Sequence, residues 1–590
     1  MNYDVVIIDS GVTLGDSQGV NGICIKKTEN GIEYINDIND QVGHGTVIYS
    51  VIKNRIKNAK IFVVKIDDGQ GLTEGETLVD ALIYIKENIC CKIINISLGI
   101  AADESVPELK QLCYEINQAG TVIVSAFDNE GCISYPAAYD CVIGVDSKDN
   151  FSNADEFDFV EKGPINIFAK GGIQRVSIAG KVVLTGGSSI ACAHITSILL
   201  SHFTRIIDYR KAIDYLRNEA RNRYCYKSDE EIDNKLLWEI HKAAVFPFTK
   251  ETQAFLRFDD MVSFKIQGFY DIRQSGKVGR SLSSFCKRES ENEIIMDIDN
   301  LCWDEIDTII VGHLDKLNSL IKRDIREEII RKAINWGVNI YSFDPLDKYA
   351  NMLKKSNICF FCSRITSEMV RNYSFGKLYK ISKPVVGIFG TSSQQGKFSL
   401  QLGLKRSLTK MGYEVGTVGT EPHAQLFGFD VGFPMGYNST VVISNQDIVM
   451  YLNYSIKKLC EGGKEIIIGA SQAQTVPYYC NNILEYPAMQ YHFALGLNPD
   501  AVIICINFYD EKEYIENTIN AISGLTNSTV IALVMYPLTF INEWSSAKRQ
   551  VSSDEFCERA TLLQDEFKIP VYLLSDQGVD RLCQTVIDYF

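Results

Sequence analysis

Three side chains suited to acyl transfer lie far apart along this chain, each inside a short motif. Asp9-Ser10-Gly11 ends a β-branched run, Gly43-His44-Gly45-Thr46 precedes an apolar stretch, and Gly187-Ser188-Ser189-Ile190-Ala191 opens another. Cleaving an amide needs a hydroxyl nucleophile, a base that takes its proton and an acid that orients the base. Singly, each motif has a plainer reading: a turn after a strand, a glycine loop, a serine N-cap. Together and in this order they supply all three roles.

A second set of residues suits phosphate. Val385-Val386-Gly387-Ile388-Phe389 reads as a buried strand leading into Gly390-Thr391-Ser392-Ser393-Gln394-Gln395-Gly396-Lys397-Phe398-Ser399. An apolar helix with Leu400, Leu402 and Leu404 follows. A glycine-rich turn between strand and helix aims N–H groups at an anion, and a lysine there offsets phosphate charge. The regular phosphate-loop spacing has four residues between the glycines and a hydroxyl directly after the lysine. Here Thr391 to Gln395 intervene between the glycines, and Phe398 separates Lys397 from Ser399. A tight glycine turn capped by serines is the plainer alternative.

Rigid elements must hold these groups. Short β-branched runs alternate with amphipathic stretches of helical length, the pattern of parallel sheets covered by helices. Strands are expected near Val5–Asp9, Ile61–Ile66, Ile93–Ser97, Val122–Ala126 and Cys141–Val145, with helices over Gly75–Cys90 and after Ser189. From Lys227 to Thr249 the pattern becomes irregular and charged. A second α/β pattern runs to Tyr379, and a third starts at Val385. The fold class expected is therefore α/β, with three domains at 1–245, 250–380 and 381–590.

The chain has 590 residues, 46% hydrophobic and 23% charged, a balance that excludes a disordered or low-complexity protein. Fifty-nine basic against 74 acidic residues give −15, which disfavours nucleic acid or an anionic membrane surface as partner. No run of 18 apolar residues occurs, so no membrane span is expected. Seventeen cysteines, an odd number set in apolar runs such as Ile504-Cys505-Ile506, point to free thiols and a cytoplasmic location.

The three acyl-transfer motifs resemble those of the subtilisin-like serine proteases (subtilases), whose triad runs in this order. The resemblance covers about residues 1–225 and implies a three-layer parallel-sheet domain with serine endopeptidase activity. It matches Asp9 to the family's acid, His44 to its base and Ser189, rather than Ser188, to its nucleophile. Asn95-Ile96-Ser97-Leu98-Gly99 resembles the strand lining the P1 pocket, which makes Ser97, Leu98 and Gly99 substrate-binding. The segment from Ser125 to Gly131 resembles the oxyanion segment, with Asn129 as amide donor. Two departures stand out: Asp128 where the family has glycine, and Ala193 where it has proline.

Residues 250–590 resemble the DgcN-like two-domain family of unknown function, which implies a Rossmann-like half followed by a P-loop half. Its loop variant matches Gly390, Thr391, Gly396, Lys397 and Ser399, and the resemblance implies ATP or a related nucleotide with Mg²⁺. Relatives carry a glutamate after the strand that ends here in Ile468-Gly469-Ala470-Ser471-Gln472. Without that acid, nucleotide is expected to bind without efficient hydrolysis. Glu421 and Asp430 are the candidate substitutes.

Elsewhere, Arg273 to Arg280 reads as a solvated basic loop, Cys359 and Cys362 as core thiols, and His194 as packing. The expected protein is thus an intracellular serine endopeptidase acting on a peptide or protein, fused to a nucleotide module. Its protease half needs neither metal nor cofactor, and maturation of a ribosomally made peptide is the expected role. Two alternatives stand beside it. One is a nucleotide-responsive scaffold whose protease fold only binds peptide; the other is an ATP-dependent modifying enzyme with an accessory protease domain.

Overall fold

Alternation along the first strand sets the layering of the N-terminal part. In β1 (Asn2–Asp9), Val5 and Ile7 join one core cluster while Val6 and Ile8 join another, so both faces are buried. A strand apolar on both faces needs helices above and below it. The computed structural model describes residues 2–13, 19–28, 31–66, 75–101, 106–129, 131–178, 181–203, 207–225, 234–285, 293–370, 376–479, 481, 486–541 and 547–590. Two compact units emerge, Met1–Glu230 with Arg371–Ser382, and Glu231–Val370 with Lys383–Phe590.

In the first unit the further strands are β2 (Asn21–Thr28), β3 (Gly31–Ile35), β4 (Ile61–Lys65), β5 (Cys90–Ile96), β6 (Val122–Ala126), β7 (Ile143–Lys148), β8 (Phe157–Glu161) and β9 (Ile167–Lys170). A hairpin of β10 (Gln174–Ile178) and β11 (Lys181–Thr185) precedes the last strand, β12 (Asn222–Cys225). Among the described residues ten strands form one sheet in the order β12-β8-β9-β7-β6-β5-β1-β4-β2-β3. Its pairs are parallel except β2–β3 and β8–β9. Helices α1 (His44–Arg55) and α4 (Ser188–His202) cover one face, with Ile48, Ile52, Ile190, Ile195 and Leu199. On the other face lie α2 (Gly75–Asn88) and α3 (Glu108–Gln118), with Leu78, Leu82, Leu109 and Ile116. Helix α5 (Tyr209–Glu219) packs Ala212 and Leu216 against the α1/α4 face.

Among the described residues the second unit holds two large parallel sheets, beside the short pairs Ile365–Thr366 with Val441–Val442 and Leu538–Phe540 with Lys548–Gln550. One has the order Met296–Asp297, Lys265–Asp271, Lys242–Phe246, Thr308–Val311, Asn339–Ser342, Phe360–Phe361. The other runs Val431–Gly432, Val415–Gly419, Ile466–Ala470, Val385–Gly390, Ala501–Ile506, Thr529–Met535, Val571–Leu573.

These boundaries differ from the expected ones at two places. Lys242–Phe246, expected at the close of the first domain, is an inner strand of the second unit. Its run Ala243-Ala244-Val245-Phe246 is fully buried, as a strand covered on both faces requires. Residues 376–382 belong to the first unit rather than to a middle domain. The expected irregular segment falls partly on 226–233, outside the described residues.

Candidate active site

Open parallel sheets collect ligands at the carboxyl ends of their strands, and the three acyl-transfer motifs lie there in the first unit. Asp9 is the last residue of β1 and is 3% exposed. Its Oδ1 accepts hydrogen bonds from the Ser10 N–H at 2.7 Å and from His44 Nδ1 at 2.8 Å. A carboxylate only accepts, so the proton sits on Nδ1 and Nε2 keeps its lone pair. The His44 side chain is 40% exposed, which leaves the imidazole reachable from solvent.

Helix α1 begins at His44 and must approach β1 closely to make that contact. A Cβ at Gly45 would lie 2.2 Å from Gly11 O and 3.0 Å from Asp9 Oδ1, so glycine is required. The helix has no cap from its own N-cap residue, Gly43. Asp40 does this work instead. Its Oδ1 accepts from Ser10 Oγ at 2.9 Å and the Gly43 N–H at 2.8 Å, and its Oδ2 from the Thr46 N–H at 2.8 Å and Thr46 Oγ1 at 2.6 Å. One carboxylate thus ties the residue after Asp9 to the turn before His44. Burial pushes the Asp40 pKa up, but bonds from Thr46, Gly43 and Ser10 outweigh it and hold it below the usual range.

Asp40→Ala is expected to lower stability by about 3 kcal/mol, as for a charged acceptor whose donors are left unpaired. A lower denaturant midpoint at unchanged slope is the measurement. Because the folded pKa is depressed, this contribution is complete at neutral pH. It is lost as pH falls below about 4, so the gap between wild type and variant narrows in acid.

Ser189 lies in the first turn of α4. Its Oγ donates to the carbonyl of Ser97, one residue beyond β5, at 3.1 Å. Since β5 pairs directly with β1, the ends carrying Ser97 and Asp9 are neighbours. Gly187 before the helix has φ +121°, and a Cβ there would lie 2.8 Å from Asn129 Oδ1. Asn129 follows β6, and its Oδ1 accepts the Ser188 N–H at 2.6 Å. That bond occupies Oδ1 and leaves Nδ2 as the amide's donor atom. Ser188 Oγ donates to Phe127 O, so the segment after β6 and the turn that opens α4 are joined twice. Leu98 is partly buried against the α2/α3 core, and at Gly99 a Cβ would lie 3.0 Å from Ser134 Oγ. His194 is buried and meets Gln174 Oε1 at 3.0 Å, a packing role.

In the second unit, Val385–Gly390 leads through the glycine loop into the helix Lys397–Lys410, with Gly396 at φ +78°. The loop folds onto its own side chains. Gln395 is 1% exposed; its Oε1 accepts the Ser392 N–H at 3.0 Å and its Nε2 donates to Thr391 Oγ1 at 2.5 Å. Lys397 Nζ donates to Ser392 O at 2.7 Å, and burial pushes its pKa down to about 8. Ser399 is partly buried in the first turn of the helix. The Glu421 carboxyl acts electrostatically on this buried Lys397 and raises its pKa against the effect of burial. Ser471 Oγ, at the end of Ile466–Ala470, is buried without a hydrogen-bond partner among the described residues.

The two substitute acids separate clearly. Asp430 is committed to Thr417, accepting its N–H at 2.9 Å and its hydroxyl at 2.8 Å. Glu421 lies just beyond Val415–Gly419, and burial pushes its pKa up to about 7 against a Gln472 hydrogen bond and the charge of Lys397. In the Arg273 to Arg280 loop, Arg273 pairs with Asp297 and Lys277 donates to Phe248 O at 2.5 Å. Cys359 is exposed rather than in the core, because Phe360–Phe361 is an edge strand; burial raises the Cys362 thiol to about 12.

Comparison with known proteins finds matches in both halves of the chain. Residues 7–205 match the Subtilase family (Peptidase_S8), and residues 373–583 match the P-loop domain of a family of unknown function, DUF1611. The major intracellular serine protease of Bacillus subtilis (strain 168) is 29% identical over 226 residues, 34% of this chain and 67% of that protein. Subtilisin DY of Bacillus licheniformis is 26% identical over 223 residues, 34% of this chain and 78% of that protein. A DUF1611 family protein from Anabaena variabilis of known structure is 14% identical, covering 59% of this chain and 99% of its own, at a TM-score of 0.44. The chain thus carries a region similar to the Subtilase family at residues 7–205 and one similar to the DUF1611 P-loop domain at residues 373–583.

Proposed function

We propose that the first unit hydrolyses peptide bonds with Asp9, His44 and Ser189 as its triad. The observation that carries this reading is the 2.8 Å bond from His44 Nδ1 to Asp9, on a strand adjacent to the one whose end holds Ser189. His44 Nε2 takes the Ser189 proton as Oγ attacks the carbonyl, and Asp9 stabilises the imidazolium that forms. The oxyanion is held by Asn129 Nδ2 and the Ser189 N–H, one of the unpaired donors at the start of α4. The imidazolium then protonates the leaving amine, and water, deprotonated by His44, releases the acyl group. Ser97, Leu98 and Gly99 line the path of the substrate before the scissile bond. A fluorophosphonate probe tests this reading: wild type is expected to be labelled and Ser189→Ala to stay unlabelled. Folded wild type that resists the probe would favour the peptide-binding scaffold.

We further infer that the glycine loop binds the phosphates of ATP or a related nucleotide through the N–H groups around Gly390, Thr391 and Gly396 and through Lys397. The loop's Gln395 must swing out, because it holds the Ser392 N–H that a phosphate oxygen would take. Mg²⁺, which neutralises phosphate charge, finds its candidate ligands in Ser399 and Glu421. Titration calorimetry with MgATP is expected to give heat for wild type and none for Lys397→Ala; equal heats would remove the site.

A cytoplasmic setting is supported by the described cysteines, which are all free, and by likeness to an intracellular protease. No described helix is long and apolar enough to cross a membrane. For the substrate, we propose a ribosomally made precursor peptide, to be tested by mass spectrometry of peptides incubated with wild type and Ser189→Ala.

A further inference from the structure

The departure at Asp128 poses an electrostatic problem. A carboxylate directly before Asn129 opposes an oxyanion forming beside that amide. A second acid, Asp146 on β7, is buried close by. Burial raises the Asp146 pKa, and the charge of Asp128 raises it further. With no nearby cation, exposed Asp128 and buried Asp146 would hold the oxyanion segment in a negative field, and the buried charge would count for more than it does in water.

The cation comes from far along the chain. Lys377, in the segment 376–382 that belongs to the first unit, donates from Nζ to the carbonyl of Asp128 at 2.5 Å. The same Nζ lies 3.7 Å from Asp146 Oδ2, and the Lys377 side chain is 12% exposed. The segment is anchored beyond this one contact. Leu378 O accepts the Ile133 N–H at 2.9 Å, and Tyr379 packs against the α2/α3 core cluster. Around the oxyanion segment, Phe127 O is held by Ser188 Oγ, Asp128 N–H by Ser134 Oγ at 3.0 Å, and Asp128 O by Lys377. Lys377 therefore grips the peptide unit that leads into Asn129.

We infer that Lys377 is a positioning residue of the protease site, fixing the Asp128–Asn129 peptide and offsetting the Asp128 and Asp146 carboxylates beside the oxyanion. This rests on Asn129 being the oxyanion donor. It gives the connecting segment a role in catalysis. It also links two sites along the chain, because the strand that enters the glycine loop, Val385–Gly390, begins eight residues after Lys377.

The test uses the full chain and a chromogenic peptide, with folding checked by circular dichroism. Lys377→Met is expected to lower kcat about 10- to 100-fold, less than full loss of an oxyanion donor, with KM within about twofold. Lys377→Arg keeps both charge and donor and is expected to restore kcat to within about threefold. Lys377→Gln, which keeps a donor without charge, is expected to fall between them, and it carries the test if the methionine variant does not fold. Wild-type kcat in the Met or Gln variant, a loss confined to KM, or an Arg variant no better than Met would overturn the inference. Wild type that fails to react with fluorophosphonate would overturn the protease reading and this inference with it. Labelled wild type with unaffected Lys377 variants would overturn this inference alone.

Discussion

Replacing His44 with alanine is expected to lower kcat/KM by about 10⁶-fold, the scale of losing the base in subtilisin. The argument is local. Ser189 Oγ donates to the Ser97 carbonyl in this structure, and a neutral carbonyl is too weak a base to take its proton. A base such as the His44 imidazole, oriented by Asp9, must take the proton as the Oγ–carbon bond forms. Ser189→Ala is expected to lose about as much, and the double variant little more, because two members of one machine do not add. Steady-state hydrolysis of a chromogenic peptide checks all three. A double variant worse than either single one by the product of both losses would mean that the two residues act separately.

Asp9→Asn is expected to cost about 10⁴-fold in kcat while leaving the backbone geometry intact. Asp9 Oδ1 accepts from His44 and from Ser10, and its burial leaves little water to compensate for a changed partner. An asparagine amide can donate to Nδ1, which would move the imidazole proton to Nε2, where it blocks abstraction from Ser189. Fluorophosphonate labelling, followed in time, is expected to slow in parallel with kcat. A variant within tenfold of wild type would show that Asp9 is a structural acid only.

The three candidate residues stand out in the sequence because each sits in a motif whose neighbours are fixed by space. Gly45 must lack a Cβ to let α1 reach β1, and Gly187 must take a positive φ next to Asn129. Such constraints leave a mark on the residues themselves. Asp40 was also within reach, since a carboxylate four residues before His44 is well placed to serve the first turn of α1, but nothing in its type separates it from a solvated loop acid. Lys377 was not legible at all. Its partner Asp128 lies 249 residues away in the chain, and a single exposed-looking lysine in a connector carries no periodic signal. Lys242–Phe246 was misplaced because a five-residue apolar run before Pro247 closes an irregular stretch as easily as it starts a buried strand. The glycine loop was found from its strand and helix, whereas its inward-folded Gln395 could be seen only from coordinates.

The return of residues 376–382 to the first unit has a consequence for biosynthesis. A nascent chain that has reached Cys225 holds every strand of the ten-stranded sheet, yet it still lacks the cation for the Asp128–Asp146 pair. At translation rates of roughly 5–20 residues per second, that cation emerges roughly 10–30 s later. Until then the ten-stranded sheet stands complete without the ammonium that Lys377 brings to Asp128 O and Asp146, a built-in delay between finishing the scaffold and finishing its charge balance.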